Sequence, residues 1–282
     1  MKVSWLIDGE VFGSYCDEMA AAARDLGHEV KVLRPPSPPY TWDDVAQTIR
    51  KSFPPESCVV AHGDIGLITK LAREGRWTPG VFATVANFEC ASYFCRFGEY
   101  LLNQRYVMLP FGELLRCRNF LFDAVGRDGR IFVRPSSPLK LFTGQLASFA
   151  TFDRDVEYMG FYEFPPESLA VVSQPQEIAA EWRFVIADRR VVAGSQYSRE
   201  GEKTLSPSWE EGAMELAARV GNSDYQPDPA WVVDVCRTAS GDYRLLEIGG
   251  FSFADLYACD KRAVVEAVSA AAHRAWTSRP QS

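Results

Sequence analysis

The first 75 residues alternate between two kinds of apolar pattern. "KVSWLID" is an unbroken apolar run, whereas "SYCDEMAAAARDLG" repeats its apolar positions every three or four residues before Gly27. The first pattern predicts a buried strand and the second an amphipathic helix. "HEVKVLR" predicts a second strand, "TWDDVAQTIRKSF" a helix with Thr41 as its N-cap, "SCVVAHGDI" a third strand and "GLITKLARE" a further helix. Strands alternating with helices imply a parallel sheet with crossover helices. Residues 1–95 therefore read as a small α/β domain of Rossmann-like topology, without the GxGxxG turn of a dinucleotide site.

Beyond residue 95 the pattern changes. "RFGEYLLNQRYVMLP" and "FGELLRCRNFLFDAVG" read as helical or mixed, and strands dominate after them. "GRIFVRPSSPLKLFTGQLAS" predicts a strand, a polar loop and a second short element. "ESLAVVSQPQEIAAEWRFVIADRRVVAGSQYS" holds three apolar stretches, with "ADRR" as a turn between two strands. "SWEEGAMELAARVGN" predicts an amphipathic helix from near Ser208 to Gly221, and "KRAVVEAVSAAAHRAW" a closing helix. Between these two helices, "WVVDVCRTASGDYRLLEIGGF" reads as a hairpin of two apolar strands. Each strand carries one acid, Asp234 or Glu247, and the hairpin ends in Gly249 and Gly250, the latter read as a turn residue. Strands flanked by helices predict an α+β domain over residues 96–282.

Composition narrows the function classes. The 282 residues carry a net charge of −7, which argues against nucleic acid as a partner, because phosphate contacts need a basic surface. No apolar run approaches the roughly 20 residues of a membrane span, and the N-terminal pattern is strand and helix rather than a signal peptide. The seven cysteines include no CxxC and the three histidines are scattered. That usage predicts reduced, buried thiols in a cytoplasmic protein, without a structural zinc site.

Three groups of residues could carry chemistry. Asp234 and Glu247 lie near the same end of two antiparallel strands, so they can lie side by side. Paired carboxylates among apolar neighbours repel each other unless a cation lies between them, and Mg²⁺ with its oxygen ligands is one such cation. The other reading turns both acids to solvent at the edge of the core. In "FVRPSSPLKLFTGQ", Arg134 ends a strand and Lys140 follows in a loop rich in Ser, Pro and Gly, a pattern suited to phosphate or to plain solvated surface. Glu181 and Arg183 are two apart on a strand and share a face, as nucleotide contacts or as a cross-strand ion pair. His62 and Asp64 at a strand end, and Cys90 and Cys95 as nucleophiles, are weaker candidates. No GxSxG elbow or activating base accompanies them.

Taken in order, "FVRPSSPLKLFTGQ", "VVSQPQEIAAEWRFVIADRRVVAGSQY" and "WVVDVCRTASGDYRLLEIGGFSFADLYACD" resemble the ATP-grasp superfamily, and most nearly its R2K-type members. The resemblance implies an N-terminal Rossmann-like pre-ATP-grasp domain, then two α+β subdomains that clamp ATP. It further implies an ATP- and Mg²⁺-dependent ligase that joins a small-molecule or peptide carboxylate to an amine or thiol acceptor through an acyl phosphate, releasing ADP. By position, Arg134 and Lys140 match the phosphate contacts, and Arg183 matches the arginine aimed at the terminal phosphate or acyl phosphate. The segment Val171 to Ile178 matches the adenine-binding connector and places Ser173, Gln174, Gln176, Glu177 and Ile178 beside the nucleotide. Glu181 matches a ribose or adenine contact, and Asp234 and Glu247 match the two acidic metal ligands.

The chain departs from the family pattern at three places. Gly249 stands where an Asn ligand is expected, Asp255 stands where a glycine is common, and a further lysine has only Lys203 as a candidate, in a polar loop. The loss at Gly249 leaves a second reading open: an ATP-binding module with little or no catalysis that acts through a protein partner.

Overall fold

The computed structural model describes residues 2–11, 15–34 and 42–279; the N-cap expected at Thr41 lies outside them. Strands β1 (Ser4–Asp8), β2 (Glu29–Leu33), β3 (Cys58–His62) and β4 (Thr78–Gly80) form a parallel sheet in the order β2-β1-β3-β4. Helices α1 (Tyr15–Asp25), α2 (Trp42–Arg50) and α3 (Ile65–Glu74) connect them. The unbroken apolar runs of β1 and β3 follow from burial of every residue in both strands. Asp64 caps α3 by accepting from the Leu67 N–H at 2.9 Å, and Gly75 at φ +56 ends it. β4 has no sequence signature, because it is three residues long and contains Pro79.

After α4 (Cys90–Phe97), the strands β5 (Tyr106–Pro110), β6 (Arg130–Pro135), β7 (Gln145–Ser148) and β8 (Leu169–Ser173) form an antiparallel sheet in the order β5-β8-β6-β7. Its core includes Leu121 and Val125 of α5 (Arg118–Val125) and Phe152 and Val156 of α6 (Phe152–Met159). "RYVMLP" is thus a strand where a helical or mixed element was expected, and its aromatic and β-branched residues suit the pleat.

The third sheet is antiparallel and has the order β11-β10-β9-β12-β13. It comprises β9 (Ile178–Ala187), β10 (Arg190–Arg199), β11 (Glu202–Ser206), β12 (Ala230–Thr238) and β13 (Tyr243–Gly250). Asp188 and Arg189, both at positive φ, make the two-residue turn predicted at "ADRR". The helix predicted from Ser208 is α7 (Glu211–Gly221), three residues shorter at its start. Glu210, just ahead of it, accepts from Tyr243 and pairs with Arg237 instead of capping the helix.

The two faces of this sheet are covered differently. One packs Trp182, Phe184, Trp231 and Val233 against α4 and α7. The other buries Val185, Ala193, Ala230 and Val232 in a core shared with the first sheet and with α8 (Lys261–Thr277). Fully burying one such valine stabilises by about 1.5–3 kcal/mol, so this shared core ties the parallel sheet to the third sheet. Trp5 adds a directional link, donating from Nε1 to Ser269 Oγ at 3.0 Å. The stretch of this second face around residues 181, 183, 234 and 236 lies beyond the α8 core. Among the described residues, no helix is long and apolar enough to cross a membrane.

Candidate active site

Alternation along β9 sends Trp182 and Phe184 into the core, and Glu181 and Arg183 to the opposite face. The strand register then sets three groups in one row. Arg183 on β9 lies opposite Asp234 on β12, and Asp234 lies opposite Glu247 on β13. A bulge follows at once: Val235 pairs with Leu245, so Leu246 is the extra residue.

The neighbouring carboxylates are each neutralised, but by different partners. Arg183 donates from Nε and Nη2 to both oxygens of Asp234, at 2.8 and 2.7 Å. Arg134, arriving on β6 of the middle sheet, donates from Nη2 to Glu247 Oε2 at 2.6 Å. Glu247 therefore bridges the two antiparallel sheets, and its Oε1 lies 3.9 Å from Arg183 Nη2. Asp234 is 2% exposed and Glu247 33%, so only Glu247 presents an accessible carboxylate oxygen.

The electrostatics follow from this placement. Burial pushes the Asp234 carboxyl up to about 6 against the pull of Arg183, and the charges of Glu247 and Glu181 add to the rise. Burial also opposes ionisation of Glu247, but Arg134, Arg183 and Lys140 together outweigh it and hold that carboxyl below its ordinary value.

Two tyrosines that sequence reasoning did not single out complete the surroundings of Arg183. Its guanidinium carbon lies 5.9 Å from the Tyr197 ring centre and 5.2 Å from that of Tyr257, at cation–π range. The two rings stack at 4.9 Å with planes 21° apart. Tyr197 donates its hydroxyl hydrogen to Glu181 Oε2 at 3.0 Å and reaches Asp234 Oδ2 at 3.5 Å. Arg183 Nη1 also donates to the main-chain oxygen of Asp255 at 3.0 Å, so the unusual "FADLY" segment serves this site through its backbone. Tyr197 is the unpaired residue of a bulge in β10, where Gln196 pairs with Trp182 and Ser198 with Glu181, so strand alternation alone does not place it beside Arg183.

The remaining candidates fall around this centre. Lys140 is exposed on the loop after β6, at φ +51. Ser173 is fully buried at the end of β8, Gln174 is half-buried, and Ile178 opens β9. Gln176 and Glu177 are exposed and, with Arg127, Thr238 and Arg244, line a polar cavity of about 350 Å³. Lys203 is on the edge strand β11, not in a loop, and is exposed. Gly250 is extended at φ −68, ψ 136 and so is not a turn residue. A Cβ there would come within 2.9 Å of Ala83 Cα, and glycine is required for that close approach. At Gly249 an added Cβ would meet only Val232 Cγ2, at 3.3 Å.

The weaker candidates find structural roles. His62 is fully buried near Tyr15, with Nε2 3.3 Å from its hydroxyl, and burial lowers its pKa to about 3. Burial raises the Cys90 thiol, which disfavours a thiolate nucleophile, and Cys95 is exposed on α4. All seven cysteines are free thiols.

Among the described residues, no group of three or more His, Cys, Asp or Glu side chains is arranged to hold a metal on its own. The donor set nevertheless suits Mg²⁺, which takes hard carboxylate oxygens and completes its shell with water and phosphate. Glu247 fits that need through its accessible oxygen, whereas both oxygens of Asp234 are held by Arg183, so Asp234 would serve as a ligand only with that fork released.

The fold combines one parallel sheet with two antiparallel ones, and the row Arg183–Asp234–Glu247 is met by Arg134 from the neighbouring antiparallel sheet. The family model of the ATP-grasp domain, R2K clade family 3, matches residues 107–268, and the chain belongs to that family. No curated protein matches it. Among solved structures, D-cycloserine synthetase DcsG is 13% identical with a TM-score of 0.63, the match covering 98% of this chain and 100% of that one. The ATP-grasp ligase PsnB complexed with minimal precursor is 14% identical with a TM-score of 0.58, over 96% of this chain and 100% of that one. PsnB is also known with minimal precursor, Mg and ADP. N5-carboxyaminoimidazole synthetase from Staphylococcus aureus, complexed with ADP, is 10% identical with a TM-score of 0.59, over 95% and 78%. At these identities the likeness is one of fold.

Proposed function

We propose that the protein is an ATP- and Mg²⁺-dependent ligase that joins a small-molecule or peptide carboxylate to an amine or thiol acceptor. The observation that carries this reading is the row Arg183–Asp234–Glu247, met from the facing sheet by Arg134. Two guanidinium groups and two carboxylates at the junction of two sheets form a site for a polyphosphate and its cation. The structures of related fold that hold ADP, or Mg and ADP, agree with it.

In this reading, one oxygen of the substrate carboxylate attacks the γ-phosphorus of ATP. The bond from that phosphorus to the β,γ-bridging oxygen breaks, and ADP leaves. The acceptor nitrogen or sulfur then attacks the acyl carbon, inorganic phosphate departs with the electron pair of the C–O bond, and the acceptor loses a proton. Arg183 is aimed at the transferring phosphoryl group, with Tyr197, Tyr257 and the Asp255 carbonyl fixing its plane. Arg134 and Lys140 bind phosphate oxygens, and the connector through Ser173, Gln174, Gln176, Glu177 and Ile178, with Glu181, receives the nucleoside. Asp234 and Glu247 would hold Mg²⁺, which neutralises charge on the phosphates. The nucleophile belongs to the substrate, so the buried thiols and His62 need no catalytic part.

Gly249 favours a second reading, an ATP-binding module with weak or lost catalysis that works through a protein partner. Release of ADP and phosphate, measured with mixed carboxylic acids and amino-acid or peptide acceptors, separates the two. Acceptor-dependent release supports the ligase; saturable Mg-ATP binding without turnover under every acceptor set supports the module.

A further inference from the structure

We propose that Lys261, the first residue of α8, is a positioning residue for Arg183. The inference rests on the part given to Arg183 under the proposed function. A lysine at this place is costly on two counts. A cation at a helix N-terminus opposes the helix dipole, and an ammonium group taken out of water loses its hydration. Lys261 is nevertheless only 7% exposed, and burial lowers its pKa from the ordinary lysine value. Its Nζ turns back past Asp260, the N-cap of α8, and donates to two main-chain oxygens, of Tyr257 at 2.6 Å and of Cys259 at 2.8 Å. It also lies 4.8 Å from the centre of the Tyr15 ring, at cation–π range.

The segment held in this way is the one that faces Arg183. Residues 255–259 lead into α8 without helix or strand of their own. Within them, the Asp255 main-chain oxygen accepts from Arg183 Nη1 at 3.0 Å, and the Tyr257 ring centre lies 5.2 Å from the guanidinium carbon. Tyr257 does this at φ +46, a conformation that a bulky residue keeps only where its surroundings fix it. Side chains hold the N–H groups of the segment: Leu256 donates to the Tyr15 hydroxyl at 3.3 Å, Tyr257 to Asp255 Oδ1 at 2.8 Å and Ala258 to Ser195 Oγ at 3.1 Å. Lys261 holds the carbonyl side, directly at Tyr257. Without its ammonium, the left-handed turn loses the anchor that keeps the ring in place. Arg183 then retains both bonds to Asp234 but loses the contacts that fix its plane. Lys261 thus acts through Tyr257 and Asp255, not by touching the reacting groups.

Lys261→Met keeps the apolar stem and removes the donor. Amide hydrogen exchange of the full chain, without nucleotide, should quicken by about tenfold or more at Leu256, Tyr257 and Ala258, while β9 and β12 keep their wild-type protection. Mg-ADP affinity, read by calorimetry, should change by less than about threefold, whereas ADP release from Mg-ATP with hydroxylamine and a pool of carboxylic acids slows by about thirtyfold. In a Tyr257→Leu background, Lys261→Met should slow that release by less than about threefold further, because both changes act on one element. Exchange unchanged at the three amides, or raised equally in β9 and β12, would overturn the inference. So would wild-type turnover with the segment loosened, or full additivity of the two variants; each of these leaves the nucleotide site standing. Should Lys261→Met fail to fold, Tyr257→Leu decides: a thirtyfold slower release supports the route through Tyr257, and release at the wild-type rate overturns it. Wild-type protein that releases no ADP overturns the reading of Arg183 itself, and this inference with it.

Discussion

Asp234 and Glu247 lie directly opposite each other on β12 and β13, yet each carboxylate turns to a different arginine, one on the neighbouring strand and one from another sheet. Like charges at directly opposed positions are destabilising unless compensated, so the hairpin depends on both guanidinium groups.

Arg183→Met strands Asp234, 2% exposed, and should cost about 3–5 kcal/mol in urea unfolding. Arg183→Met combined with Asp234→Asn should recover most of that loss, because the stranded charge goes too. A double variant as unstable as the single one would show that packing by the arginine, not its charge, supports this rung.

Arg183→Lys tests the fork itself. A lysine keeps the charge but loses the bidentate geometry and the planar contact with Tyr197 and Tyr257. Mg-ADP affinity should fall by no more than about threefold, while acceptor-dependent ADP release slows by about a hundredfold or more. Equal losses in affinity and turnover would place Arg183 in ground-state nucleotide binding alone.

At Gly249 the prediction runs towards gained function. An asparagine Cβ there meets only Val232 Cγ2, at 3.3 Å, so a shift of a few tenths of an ångström accommodates it. Gly249→Asn should lower the Mg²⁺ concentration needed for half-maximal nucleotide binding by about threefold to tenfold, as an added amide oxygen ligand would. An unchanged Mg²⁺ dependence in folded protein would show that position 249 does not face the cation.

His62 predicts a pH dependence of folding. Burial lowers its pKa to about 3 in the folded protein, so the unfolded chain takes up the proton more readily. Its contribution is fully present above the unfolded pKa of about 6.5 and is lost as pH falls, at up to about 1.4 kcal/mol per unit, or about 2 kcal/mol by pH 5. Asp228 and Asp234, both pushed up to about 6 by burial, act with the opposite sign: their stabilisation is present at low pH and is lost as pH rises through about 6. The difference between wild type and His62→Gln isolates the histidine. That difference should narrow as pH falls from 7 to 5, and a constant difference would contradict the neutral buried imidazole.

The sequence carried some of this site openly. The two-residue alternation of "EWRFVIA" and "WVVDVC" assigns Arg183 and Asp234 each to one face, and the short link at residues 239–242 sets Glu247 near Asp234. Periodicity orders residues within one sheet but not the approach of a second sheet, so the Arg134–Glu247 pair was hidden. For the same reason, spacing alone did not match each acid to the guanidinium group that neutralises it. The 255–257 segment was illegible because it acts through the Asp255 carbonyl and a tyrosine at φ +46, features of backbone geometry that composition does not encode. Lys203 looked like loop because β11 is a polar edge strand with no apolar face to mark it.

We propose that ATP activates a substrate carboxylate as an acyl phosphate in this cleft. Hydroxylamine trapping tests it most directly, since that small amine intercepts acyl phosphates as hydroxamates. With Mg-ATP and a pool of carboxylic acids and peptides, the wild type should form hydroxamate and ADP in equal amounts, and Arg183→Lys should form neither above background. Mg-ATP bound at saturation, with neither hydroxamate nor ADP produced from any member of the pool, would contradict the ligase and leave a nucleotide-binding module.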